Sequence, residues 1–187
     1  MPTKLTDQDW QAAADALGVP VAAIKAVSEV EAPGSGFLAS GEPRILFERH
    51  KFSKHTGGKY DQSHPGISNP KWGGYGKESA QHGRLAEAVK LDRTAALKSA
   101  SYGKFQILGE NYRQAGFDSL QDFINAMYRD EQSQLKAFVS FNLNDSRLLS
   151  ALRGQNWTAY ARTYNGPAFA QNQYDVKLAD AYRKFAS

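Results

Sequence analysis

Three short stretches of this 187-residue chain combine reactive side chains with glycine and aromatic residues. The first is SEVEAPGSGF, residues 28–37, where Glu29 and Glu31 close an apolar helical pattern and Pro33, Gly34 and Gly36 break it. Two residues apart on a helix, the two carboxylates point in different directions. Val27 and Glu31 form an i,i+4 pair, so Glu31 continues the apolar stripe of Ile24, Val27 and Val30 while Glu29 lies nearer solvent. A carboxylic acid pressed against apolar surroundings has its pKa raised, which suits a general acid working near neutral pH. A solvated charge at a helix end is the ordinary explanation of the same residue.

The second stretch is ILFERHKF, residues 45–52, in which Glu48 stands inside a frame of Ile45, Leu46, Phe47 and Phe52. Glu48 is a candidate second carboxylate, to polarise water or orient a ligand; the plainer reading is an ion pair with Arg49 or Lys51. The third is a pair of segments, SASYGKFQILG (99–109) and YARTYNGP (160–167). Gly103 permits close approach of the backbone. Gln106 and Asn165 carry amides that both donate and accept, and Tyr102 and Tyr164 offer flat faces with a hydroxyl tip. Amides beside aromatic platforms suit a sugar polymer bearing hydroxyl and N-acetyl groups. Core packing and a helix stop at Asn165-Gly166-Pro167 account for the same residues without a ligand.

The elements that position these residues are mainly helical. Thr6 with Asp9 three residues on reads as a helix start, and Gly18 as its stop. Pro20 opens a second helix that carries Glu31. Residues 34–78 lose helical periodicity and are rich in Gly, Pro, Ser, Asn, His and Lys; they read as an irregular lobe with little or no β-structure. The island RILFERHKF within it reads as a short strand or a helical turn, and Tyr60, Trp72 and Tyr75 need somewhere to pack. From residue 79 helical patterning returns, with TAALKSASYGKFQILGENYRQAG read as two helical pieces broken near Ser101 and Gly103, and a capping box at Ser119 and Asp122. The expectation is one mainly α domain over residues 1–187.

Composition narrows the chemistry. The chain has no cysteine, which excludes disulfides, thiolate metal sites and a cysteine nucleophile. His50, His55, His64 and His82 have no compact ligand spacing, so no metal and no cofactor is expected. The formal charge of +4 favours an anionic polymer or surface as partner, but no run of Lys or Arg resembles a nucleic-acid arm. No apolar run approaches the ~20 residues of a membrane span, so stable membrane insertion is not expected. The segment MPTKLTDQDW holds no apolar signal core, which predicts synthesis in the cytoplasm.

In this order the clusters VEAPGSGF, SYGKFQILG and TYNGP resemble the lysozyme-like superfamily of goose-type lysozymes and soluble lytic transglycosylases. A closer resemblance, carried by GEPRILFERHKF, GGYG, AALKSASYGKFQILGENY and YNGPAFAQNQYDVKLADAY, is to the N-acetylmuramidase domain of phage endolysins. Ala32 stands where that pattern often has Ser, and Tyr102 where it often has Trp. The resemblance implies an α+β lysozyme-like fold and a peptidoglycan substrate cut at the β-1,4 bond from N-acetylmuramic acid to N-acetylglucosamine. It implies Glu31 as general acid, with Tyr102, Gln106, Tyr164 and Asn165 at the substrate. Glu48 is then the first candidate for a second catalytic carboxylate and Asp61 a weaker one. A lytic transglycosylase outcome with 1,6-anhydro ends stays open, as do a non-catalytic wall-binding module and a chitinase-like enzyme. The implied setting is a phage lysis cassette: a monomer held in the host cytoplasm until a separate membrane-permeabilising protein admits it to the periplasm.

Overall fold

The computed structural model describes residues 4–187; Met1 to Thr3, part of the segment read for a signal, lie outside the described residues. Helix α1 (Asp7–Leu17) begins at Thr6, whose side chain accepts from Asp9 N at 3.2 Å while the Asp9 carboxylate accepts from Thr6 N at 2.8 Å. This reciprocal cap satisfies two donors that a helix start otherwise leaves open. Gly18, at φ 66°, ends the helix in the left-handed conformation. Helix α2 (Val21–Glu31) follows Pro20 and is apolar enough to bury Ala23, Ile24, Ala26 and Val27 completely, so its far end is fixed by core packing.

The remaining helices are α3 (Arg49–His55), α4 (Gln81–Leu91), α5 (Arg93–Lys98), α6 (Leu120–Arg129), α7 (Glu131–Leu143), α8 (Ser146–Arg153), α9 (Trp157–Tyr164) and α10 (Tyr174–Ala186). Helix α10 packs along α2 and α9, and α1 packs on α2 and α7. Asp92, Ser119, Asp130, Asp145 and Asn156 each cap the helix they precede with a side-chain oxygen. Among the described residues no helix is long and apolar enough to cross a membrane.

A small antiparallel sheet joins the irregular lobe to the helices. Strand β1 (Ile45–Phe47) pairs with β2 (Ala100–Tyr102), Ile45 opposite Tyr102 and Phe47 opposite Ala100, and β2 pairs with β3 (Ile107–Leu108). This corrects the helical reading of residues 99–116. Helix α5 stops at Ser99, and the chain then turns back through Gly103 (φ 72°) and Gln106 (φ 48°) as a hairpin. Strands of two or three residues are too short to show a period of two, so the small-residue run looked helical. The island at 45–52 proves to be both a strand and a helix, β1 followed by α3.

The lobe is ordered by its own polar contacts. Asp61 accepts from Ser53 Oγ at 3.0 Å and Ser68 Oγ at 2.5 Å, and Tyr60 stacks on Phe52 and donates to Leu91 O at 2.9 Å. On the other side of the fold, Glu131 and Lys104 are buried at 4% and 6% exposure. Glu131 Oε1 accepts from Gly36 N at 2.7 Å and Ser35 Oγ at 3.0 Å, while Lys104 Nζ donates to Gly34 O at 2.6 Å and lies 3.6 Å from Glu131. The loop that follows Glu31 is therefore held by a buried charge pair from α7 and the β2–β3 turn. Removing one member leaves the other charge buried and unpaired. Glu131→Ala is expected to cost about 3–5 kcal/mol of folding free energy, read as a lower urea midpoint at an unchanged slope.

Candidate active site

Glu31 is the last residue of α2, and the backbone leaves helical geometry at Ala32. Its carboxyl opens onto a cavity of about 560 Å³ also lined by Glu48, Gln106, Tyr164 and Asn165. A second space of about 270 Å³ adjoins it, and Glu31, Leu46 and Gln106 line both. Glu31 thus stands at the waist of a groove with room on either side. Glu29, by contrast, is 39% exposed and lies 3.6 Å from Lys184 of α10.

The surroundings of Glu31 disfavour its charge. Burial raises its carboxyl to about 7, opposed only by one hydrogen bond, from Asn165 Nδ2 to Glu31 Oε1 at 2.7 Å. No basic side chain pairs with it among the described residues. Tyr160 and Tyr164 stack on each other nearby with ring centroids 5.3 Å apart, and both hydroxyls are held well above the ordinary phenol range, first by burial and in part by Glu31 itself. Tyr164 donates to Phe105 O at 2.6 Å, which fixes the ring. Asn165 caps α9, and its Oδ1 is buried without a hydrogen-bond partner.

The same cavity is lined by two further carboxylates with different fates. Burial works to raise Glu110, but Lys51 at 2.7 Å and His55 at 2.8 Å outweigh it and hold Glu110 below the usual range. Glu110 is an ionised, clamped group. Glu48, 16% exposed in its side chain, is raised by burial, with Lys51 and the nearby Tyr75 hydroxyl pulling down and Glu110 pushing up. His50 Nε2 lies 3.5 Å from Glu48, and burial lowers the His50 pKa, which favours a neutral ring. Tyr174, at the start of α10, also lines the cavity; its hydroxyl is raised by burial and then by both Glu31 and Glu48. One phenol feeling both carboxylates places them around one space.

The structure therefore gathers five of the six expected site residues at one cavity. Gln106 adopts its strained backbone while its Nε2 donates to Gly103 O at 2.8 Å. Tyr102 is the correction: it is 1% exposed, packs edge-on against Phe123, donates to Leu97 O at 3.0 Å and is absent from the cavity lining. It alternates with Ser101 on β2, and it is Ser101 that faces the cavity. Asp61 is also placed elsewhere, spent on Ser53 and Ser68. Glu110 and Tyr174 escaped the sequence reading because neither belongs to a local pattern of reactive groups, while Lys51, read as a partner for Glu48, and His55 are instead committed to Glu110. Gly36 and Gly103 both pack on Gln134, where a Cβ would collide with its side chain, so the loop and the turn reach α7 only as glycines. Among the described residues no group of three or more His, Asp or Glu side chains converges as a metal ion requires.

A helical body with a minor sheet and a cleft built around one desolvated acid defines a mainly α, lysozyme-like protein. The chain belongs to the N-acetylmuramidase family, whose model matches residues 20–186, and is a glycoside hydrolase of the muramidase type. It is similar over its whole length to the crystal structure of the Burkholderia AP3 phage endolysin, with 42% identity, a TM-score of 0.87 and 72% of that chain covered. No curated protein matches it.

Two outcomes test this geometry. Asn165→Leu removes the donor without opening a space for water, so the Glu31 carboxyl should titrate higher than in the parent, as read by NMR of the labelled side chain. Tyr102→Phe should lower stability by about 1 kcal/mol, the worth of one hydrogen bond, and leave KM unchanged.

Proposed function

We propose that this enzyme is a peptidoglycan-degrading endolysin that cuts the β-1,4 bond between N-acetylmuramic acid and N-acetylglucosamine, with Glu31 as general acid. The observation that carries the proposal is the Glu31 carboxyl: desolvated, without a cationic partner among the described residues, hydrogen-bonded by Asn165 and set at the waist of a two-sided groove. A polymer lying along that groove would present its bridging oxygen to the acid. One hydrophobic core running from Trp10 to Leu178 supports reading the chain as a single domain.

In this reading protonated Glu31 donates to the glycosidic oxygen as the C1–O bond breaks and the sugar gains oxocarbenium character. Glu48 then takes a proton from water attacking the opposite face of C1. The leaving sugar carries the proton from Glu31, the new hemiacetal carries hydroxide, and a proton returned from Glu48 to Glu31 through solvent closes the cycle. Glu48 suits this role better than Glu110, whose charge is committed to Lys51 and His55. The unpartnered Asn165 Oδ1 supports an acceptor role toward a substrate amide N–H. If the C6 hydroxyl attacks C1 in place of water, Glu31 recovers the proton and the product is the 1,6-anhydro sugar.

Glu31→Gln should abolish lysis of outer-membrane-stripped Gram-negative cells; retained activity would retire the assignment. Mass spectrometry of the released muropeptides separates the two outcomes, reducing ends marking hydrolysis and anhydro ends marking transglycosylation. Activity of the parent should fall as pH rises through about 7, because the acid must hold its proton. The same shift has a cost in stability. The folded state binds the Glu31 proton more tightly than the unfolded chain, so a penalty develops as pH climbs above 4.5 and is complete beyond about 7. Glu31→Gln escapes a penalty on the order of 3 kcal/mol, so it should melt higher than the parent at pH 8, with the gain vanishing near pH 4.

A further inference from the structure

The segment Trp72–Gly76 is built to hold one side chain over the cleft. Trp72 is 55% exposed, whereas Trp10 and Trp157 are each 9% exposed. Leaving so large an apolar ring in water is unfavourable, and Phe52, fully buried, shows that the same lobe can bury an aromatic residue. The ring is nonetheless not on a loose loop. Arg49 Nε donates to Gly73 O at 3.0 Å, Arg84 donates to Gly74 O at 2.7 Å and to Tyr75 O, and Gln81 Nε2 donates to Tyr75 O at 2.6 Å. Gly74 has φ 68°, and a Cβ there would strike the Arg49 guanidinium, so the segment needs glycine at that point. Tyr75 meets the Trp72 ring edge-on with centroids 5.5 Å apart, and both line the cavity that contains Glu31 and Glu48.

We propose that Trp72 is a stacking platform for an N-acetylated pyranose ring at the rim of this cavity, and so a determinant of glycan binding that the acid machinery does not supply. The C–H face of a pyranose is apolar and weakly positive, complementary to the negative face of an indole. Three side chains fix the segment, so the platform is preorganised and little ordering cost falls on binding. The proposal rests on the reading of the cleft as a glycan site.

The probe is soluble glycan strands of alternating N-acetylmuramic acid and N-acetylglucosamine, stripped of their peptides by an amidase. Titrated into Glu31→Gln, they should give a saturable blue shift of tryptophan fluorescence, because Trp72 is the exposed indole. The shift should vanish in Glu31→Gln/Trp72→Ala, with calorimetry showing about tenfold weaker binding. In the otherwise native enzyme Trp72→Ala should raise KM about tenfold while kcat changes less, Trp72→Phe should recover most of the loss, and the melting temperature should hold. Unchanged affinity and KM in Trp72→Ala, while the parent still cuts the strands, would overturn the platform and leave the muramidase reading intact. A fall in kcat at constant KM would overturn it equally. Strands left whole and unbound by the parent would overturn the glycan reading, and the platform with it.

Discussion

The structure depends on keeping one carboxyl out of water without giving it a cation. A paired Glu31 would be ionised at neutral pH and unable to serve as the proton donor proposed above; an exposed one would titrate near its ordinary value. The fold meets both conditions by ending a buried helix on the acid, with the stacked Tyr160 and Tyr164 close enough to feel its charge. A single amide donor, Asn165, then fixes its direction. The cost is a folded state that resists ionisation of Glu31, a strain tolerated because α2 is anchored elsewhere by α10 and α1.

Around that acid the remaining charges are distributed so that none relieves it. Lys184 is taken by Glu29, Lys104 by Glu131 and the carbonyl of Gly34, and Lys51 with His55 by Glu110. The Glu131–Lys104 pair also ties the small-residue loop after Glu31 to α7. In the same cavity Glu110 is clamped by Lys51 and His55, while burial disfavours the charge of Glu48. Two acids in different surroundings around one space is the arrangement by which a glycosidase separates the roles of acid and base.

The sequence is most informative where burial follows a local period. Helical phase alone separates Glu31 from Glu29, and the structure puts Glu29 beside Lys184 and Glu31 on the cavity. Caps at Thr6 and Ser119 and the stop at Gly18 are legible for the same reason, since their partners lie within four residues. Periodicity fails where the elements are too short to show one. The β2–β3 hairpin reads as helix, and Tyr102 reads as a ligand platform when strand alternation in fact buries it and turns Ser101 to the cleft. Asp61 looks like a spare acid on the lobe because nothing in its neighbourhood announces Ser53 and Ser68 as its donors.

The amino-acid sequence by itself determines which residues are available for acid chemistry, that no thiol takes part, that the body is helical, and which of two neighbouring glutamates faces inward. Those are properties of composition and of spacing along one element. Only the tertiary structure decides how strongly Glu31 is desolvated and whether Glu48 or Glu110 keeps a free carboxylate. It alone shows that Tyr102 is core and that Trp72 stands in solvent on a braced segment. Each of these depends on groups tens of residues apart, Asn165 on Glu31, Lys51 on Glu110, Phe123 on Tyr102, Arg49 on Gly73. A pKa or an exposure is set by everything that surrounds a side chain, and most of what surrounds it is remote in the chain.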